Sequence, residues 1–366
     1  MSPASSAGWK GDGSPAPLSF ADALELLRSS HRVEALSHAL GGPGVLVIDL
    51  AMPDAPPPGD VLEATRRALA ELPCPSIGVK RGGLGGGLAN LRRGLDCVVT
   101  DAEEGARDDE GAIRCTLAPV LAGVLRNPQA SLTLAQLIRH GQGLDLHEAL
   151  IAESLAYSTL QSGLEFAEWL ERRGPPKQRP VPDDPAVLVE RLGDSLELTL
   201  NRSHKHNAFS AAMRDGLAEA LALAVSDETI ERIDLCGRGP SFCSGGDLDE
   251  FGTFPDPTSA HVVRSTRNPG RQLTALAERT HVRVHGHCLG AGVELPAFAA
   301  HVTADPGTTF RLPEVAMGLV PGAGGTASLP RRIGRQHCAW LALSGVAIDA
   351  ATALAWGLVD EIDSLH

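Results

Sequence analysis

Aromatic side chains are scarce: they make up 4% of the 366 residues, with a single tyrosine, Tyr157. That leaves too few rings for a stacking platform on single-stranded nucleic acid. Cationic side chains are also in deficit, 32 Lys and Arg against 45 Asp and Glu, a formal charge of −13. A field of that sign repels phosphate backbones, so no nucleic-acid partner is expected, although a local basic patch can still hold a small anionic ligand. The seven cysteines (Cys74, Cys97, Cys115, Cys236, Cys243, Cys288, Cys338) are odd in number and contain no C-x-x-C pair. Neither a zinc site nor a disulfide framework is expected, and reduced thiols in a cytoplasmic protein fit best. No apolar run reaches the roughly eighteen residues of a membrane span. The Ser/Gly/Pro-rich stretch Met1–Pro17 has no apolar centre of the kind a secretory signal needs.

What is present suits a large folded chain. Apolar residues are 43% and charged residues 21%, and the length corresponds to about two domains. Residues 1–18 read as a disordered tail. Short apolar runs at 44–50, 76–80 and 97–100 predict buried strands, with a helix over 61–72. A glycine loop, Gly82–Gly87, follows the second run. Residues 117–173 read as mostly helical, with no proline between Pro128 and Pro175. The Arg172–Pro185 stretch, with five prolines, is the clearest linker. Beyond it, 188–192 and 196–200 predict a hairpin around Gly193-Asp194. A helix is expected over 211–224, then strands at 230–236 and 282–285. A tight loop at 286–292 feeds a helix expected to run through Ala300. The segment Cys74–Ala89 parallels Thr280–Glu294, which suggests two copies of one strand–glycine loop–helix unit.

Three segments could carry chemistry. Cys288-Leu289-Gly290-Ala291-Gly292-Val293-Glu294 starts a helix whose free N–H groups suit an oxyanion or phosphate. Ser241-Phe242-Cys243-Ser244-Gly245-Gly246-Asp247-Leu248 follows a strand, and Asp247 is a good N-cap. Phe310-Arg311-Leu312-Pro313-Glu314 brings a second carboxylate twenty residues after Glu294. Two carboxylates across one pocket can divide acid and base duties when their environments separate their pKa values. A rival is Gly286-His287-Cys288-Leu289-Gly290, which has the spacing of a nucleophile elbow with cysteine as nucleophile.

The stretch 187–362 resembles the crotonase (enoyl-CoA hydratase/isomerase) superfamily. His206-Asn207-Ala208-Phe209 looks like its early N-A-L/F loop, and Ser241–Leu248 like its F-x-A-G-x-D-L motif. Val284–Leu295 looks like V-N-G-x-x-x-G-G-G-x-E-L. Phe310–Glu314 with Gly318–Thr326 looks like F-x-x-P-E…G-x-x-P-G-x-G-G-T, and Ala353–Asp360 like the closing A-x-x-x-G-L-V-D. The resemblance implies an α/β fold, a crotonase-like spiral of ββα units with associated C-terminal-type helices. It implies an acyl-CoA enzyme, foremost a reversible syn addition of water to a 2-enoyl-CoA through an enolate held in an oxyanion hole. By position, Ser244 and Ala291 would supply the N–H donors, and Glu294 and Glu314 the acid and base. Lys205, Ala208, Gly246, Asp247, Leu248, Gly290 and Pro313 would contact substrate. Coenzyme A enters only as part of the substrate; no separate cofactor and no metal are implied, and the family suggests a homo-oligomer, a trimer or dimer of trimers.

The family's terminal helices have their counterpart upstream, at 134–173. The resemblance therefore divides the chain into a degenerate crotonase-like half, 19–180 (helical over 115–175), and a catalytic core, 181–366. Ala89 stands where the upstream copy would need its glutamate, so that half is expected to be catalytically dead and its helices to cap the core, in cis or across a subunit interface. Other enolate reactions (isomerase, thioesterase, decarboxylase), a non-catalytic acyl-CoA-binding partner subunit, and the cysteine hydrolase remain as alternatives.

Overall fold

The structure, a computed structural model, describes residues 15–51, 58–80, 91–100, 117–176 and 184–364. The glycine loop Gly82–Gly87 and Ala89 lie outside the described residues, as do most of the tail and part of the linker.

The upstream unit comprises α1 (Phe20–Arg28), α2 (Arg32–Leu36), β1 (Leu46–Asp49), α3 (Gly59–Ala70), β2 (Ser76–Lys80) and β3 (Cys97–Thr100). The strands form a parallel sheet in the order β1-β2-β3. Continuous apolar runs are what such a sheet requires, because both its faces are covered. One face, with Leu46, Ile48 and Val98, packs against Phe20, Leu27 and Leu69 of α1 and α3. The other, with Val47, Ile77, Val79 and Val99, joins the main core.

Four helices follow: α4 (Leu117–Arg126), α5 (Pro128–His140), α6 (Leu146–Gln161) and α7 (Leu164–Arg173). Pro128 opens α5 at a position where no N–H is needed. Asp145 and Glu148 form a capping box at the start of α6. Arg139 of α5 reaches into the upstream unit. Its guanidinium donates to both oxygens of Asp96 (2.9 and 2.6 Å) and to the carbonyls of Leu72 and Cys74.

The remainder contains β4 (Val187–Leu192), β5 (Ser195–Leu200), α8 (Ala211–Ser226), β6 (Arg232–Gly237), α9 (Pro257–Thr266), α10 (Pro269–Ala275), β7 (Thr280–Val284), β8 (His287–Leu289), α11 (Ala291–Glu294), β9 (His301–Ala304), β10 (Thr309–Arg311), α12 (Gly325–Arg332), α13 (Arg335–Ser344), β11 (Ile348–Asp349), α14 (Ala350–Ala355) and β12 (Glu361–Ile362). The large sheet runs β12-β9-β7-β6-β5-β4, parallel except for the β4–β5 hairpin. After β6, β7 and β9 the chain crosses each time to a second layer, where Cys243 bridges Cys288, and β8 pairs with β10. The chain thus winds as a spiral of repeating strand–strand turns, the α/β architecture that the motifs imply.

The helix expected through Ala300 is shorter. Pro296 has no N–H to donate, so α11 ends at Glu294 and a 3-10 turn covers Pro296–Phe298. The same loop contains the short strand β8. One hydrophobic core runs through β1–β3, α4–α7 and the spiral, so residue 180 does not separate two cores. Among the described residues no helix is long and apolar enough to cross a membrane.

Candidate active site

Glu294 closes α11, and Glu314 opens the turn that follows β10. Parallel pairing of β8 with β10 brings the two segments together, Leu289 opposite Arg311. Gly290, between β8 and α11, has φ +48, and a Cβ there would meet Glu314 Oε1 at 2.3 Å. Glycine is needed here both for the left-handed backbone and for the space. A Cβ at Gly325 would likewise meet Glu294 Cγ at 2.6 Å.

Glu294 is buried and Glu314 half-buried, and their partners differ. Glu294 Oε2 accepts N–H bonds from Ala323 (2.7 Å) and Gly325 (2.8 Å). Glu314 Oε2 is buried with no hydrogen-bond partner among the described residues. Burial pushes the Glu314 carboxyl up to about 8, and the Glu153 carboxylate adds to that push. Burial, then Glu314, then Glu153 raise Glu294 well above the usual carboxylate range, against the opposing pull of its two N–H donors. A cleft residue with so displaced a pKa is a functional-site candidate.

Glu153 was not among the expected residues. It comes from α6, 171 residues upstream of one of its partners. Its Oε1 accepts the Gly324 N–H (2.7 Å), and its Oε2 accepts the Thr326 N–H (2.8 Å) and hydroxyl (2.7 Å). Burial pushes it up to about 7. Its signal in the sequence was weak but real: it lies on the helix stripe that also buries Ala149, Leu150 and Leu160, where an unpaired acid is unusual.

The N–H donors require one correction. The Ser244 N–H is spent on the His206 carbonyl (3.0 Å), so Ser244 has no free backbone donor to offer. The cause lies in His206 and Asn207, both left-handed (φ 51 and 54), which turn that carbonyl toward Ser244. Buried Asn207 holds the loop by bonding the Arg202 N–H and the carbonyls of Arg238 and Ser241. Two residues further on, Gly246 has an N–H with no acceptor among the described residues, and it lines the cavity, which Ser244 does not. The Ala291 N–H, at the first position of α11, is also without an acceptor among them, and Ala291 lines the same cavity.

That cavity has a volume of about 380 Å³ and also exposes Glu294 and Glu314. Tyr157, Phe166 and Leu170 of α6 and α7 wall it opposite Phe251, Phe254 and Pro255. The upstream helices therefore cap the core within one chain. Trp169 stacks on Phe166 (5.8 Å between centroids) and meets Phe251 (5.9 Å). Arg173 bonds the Leu248 carbonyl. Arg264 of α9 sits over the Tyr157 ring at 4.7 Å and donates to Ser154, Ser158 and Gln161.

Of the other expected contacts, Asp247 lines the cavity, but its carboxylate is engaged by Arg202 (2.8 Å) and Lys205 (3.0 Å). Lys205 also bonds Asp249 (2.9 Å). Lys205, Ala208, Leu248, Gly290 and Pro313 stand outside the cavity wall. Cys288 is fully buried, and burial next to Cys243 raises its thiol well above its ordinary value. A nucleophile needs an accessible thiolate, so the cysteine-hydrolase alternative fails.

The enoyl-CoA hydratase/isomerase family model matches residues 194–366. A 2,3-dehydroadipyl-CoA hydratase of Escherichia coli (strain K12) is 34% identical over 177 residues, 48% of this chain and 68% of the relative. The chain belongs to the enoyl-CoA hydratase/isomerase family. A 1,2-epoxyphenylacetyl-CoA isomerase of the same organism is 35% identical over 171 residues, 46% of this chain and 65% of the relative. The chain thus spans about two thirds of the length of these two relatives. An enoyl-CoA hydratase structure from Mycobacterium smegmatis aligns with a TM-score of 0.46 at 29% identity, over 50% of this chain and 71% of the other. A hydratase and an isomerase thus both stand among the relatives, which supports enzyme status of the crotonase type without selecting between the two reactions.

Proposed function

We propose that the protein catalyses reversible addition of water to a 2-enoyl-CoA. The observation that carries the reading is two carboxyls facing one cavity together with two backbone N–H groups that have no acceptor among the described residues. The Gly246 and Ala291 N–H groups would receive the thioester oxygen as negative charge develops on it; such preorganised donors act where charge appears in the transition state. When Glu314 is protonated its charge no longer pushes Glu294 up, and the two N–H donors on one oxygen then favour an ionised Glu294. Glu314, with an oxygen that has no partner among the described residues, holds the proton. Glu294 takes a proton from water, and the water oxygen bonds to the β-carbon. The alkene electron pair moves into the enolate, and Glu314 delivers its proton to the α-carbon. Dehydration runs the same steps backward.

Coenzyme A enters as part of the substrate, and the reading calls for no other cofactor. Lys205 lies at the edge of the site and is assigned to the nucleotide end of that substrate. Assembly as a homo-oligomer and a cytoplasmic location belong to the same reading. The isomerase among the relatives supports a second reading, in which the same enolate is reprotonated at a different carbon.

The test is a panel of 2-enoyl-CoA thioesters followed by loss of the conjugated-thioester absorbance. Turnover by the wild type, and none by Glu294→Gln, supports hydration. A shift of the double bond without uptake of water selects the isomerase.

A further inference from the structure

Four consecutive backbone N–H groups, 323 to 326, alternate between two carboxylates. Ala323 and Gly325 donate to Glu294; Gly324 and Thr326 donate to Glu153. The segment is glycine-rich and cannot stiffen itself, since Gly324 is left-handed at φ +106 and flanks another glycine. Its shape is set by the two acids that clamp it from opposite sides. A Cβ at Gly324 would meet Phe298 Cζ at 2.6 Å, and one at Gly325 would meet Glu294 Cγ at 2.6 Å, so neither position has room for a stiffer residue.

We infer that Glu153, supplied by the upstream helix α6, is a positioning residue for catalysis: it fixes the 323–326 segment, which in turn orients Glu294. This inference rests on the hydratase reading above. It gives the upstream half of the chain a part in the reaction beyond covering the pocket. Glu153 also acts through charge. The groups facing it are Glu294 on α11, Glu314, Arg264 on α9, Tyr157 on its own helix and Cys338 on α13. Its negative charge raises both Glu294 and Glu314.

Two effects of Glu153→Gln follow from this geometry. The amide offers one acceptor where two N–H groups and a hydroxyl now converge, so Glu294 loses its fixed orientation. Loss of the charge lowers the pKa of both catalytic glutamates. On a 2-enoyl-CoA, kcat should fall on the order of 10–100-fold with KM little changed, and both limbs of the kcat/KM profile should move to lower pH. Glu153→Asp keeps the charge but is one methylene shorter. It should lose rate while its pH profile stays near the wild type, a separation that a merely structural role would not produce. Thr326→Val keeps the backbone N–H and removes only the hydroxyl, and should show a smaller change of the same kind if Glu153→Gln fails to fold. Wild-type kcat and pH profile in folded Glu153→Gln, with Glu294→Gln inactive, would overturn the inference and leave the hydratase reading standing. Full activity in Glu294→Gln would overturn the reading itself.

Discussion

Asp96 in the upstream unit and the acid cluster at the cavity are stabilised in opposite ways. Asp96, in the upstream unit, is fully buried, but Arg139 pairs with both its oxygens, and the Ser76 N–H and hydroxyl complete its shell. Glu294 and Glu153 are nearly as deeply buried and Glu314 is half-buried, and among the described residues no guanidinium or ammonium is bonded to any of them. Backbone N–H groups serve two of them, and one Glu314 oxygen has no partner among the described residues. The first arrangement pairs an acid with a guanidinium and holds two elements together. The second raises the affinity for protons to where they can be exchanged near neutral pH. The difference separates an acid that joins α5 to the upstream sheet from acids that can do chemistry.

The sharpest way to break the comparison is to neutralise an acid in each arrangement. Glu314→Gln should lower turnover by about 10²–10⁴-fold, measured on the enoyl-CoA panel, with no loss of folded protein. Its stability should also depend less on pH. The folded Glu314 carboxyl titrates at about 8, above the ordinary 4.5. Between those values the unfolded chain releases a proton that the folded one retains, so ionisation progressively disfavours folding as pH rises. Thermal melts from pH 4.5 to 8 should lose that slope in the variant. Asp96→Ala should do the converse. It leaves Arg139 buried without its partner, which costs about 3–5 kcal/mol in a denaturant titration, and kcat per folded molecule should hold.

Smaller substitutions sharpen the boundary of the site. Gly290→Ala keeps every acid but forces a Cβ onto Glu314 Oε1 in a left-handed backbone. Activity should drop by about 10-fold or more, with a stability cost of roughly 1–3 kcal/mol. Lys205→Ala should change kcat little and raise KM a few-fold, more at low salt than at high salt, if Lys205 serves the nucleotide end of the substrate. The smallest effect on rate should be Cys288→Ser, which removes a buried thiol outside the cavity and should retain turnover.

Much of this was legible in the sequence because it is local. The runs at 76–80 and 97–100 became strands with those bounds, and the motifs carrying Glu294 and Glu314 became strand-to-helix and strand-to-turn joints. Residues whose role depends on distant chain were less legible. Ser244 and Gly246 stand two apart in one motif, and which N–H is free depends on the His206 carbonyl, 38 residues upstream in a left-handed loop. Glu153 meets its partners only when α6 packs on the spiral, and no local pattern encodes that encounter. Pro296 is itself a local stop signal for α11, one that the expectation of a helix through Ala300 left out.

The central claim is that the acids at the cavity are left without a bonded cation so that one keeps its proton at neutral pH. Infrared titration of the folded protein tests it most directly, comparing wild type with Glu314→Gln in the region of the protonated carboxyl stretch. The account predicts a protonated carboxyl that persists at pH 7, fades as pH rises through about 8, and is diminished in the variant. A wild-type spectrum with no protonated carboxyl at pH 7 would contradict it.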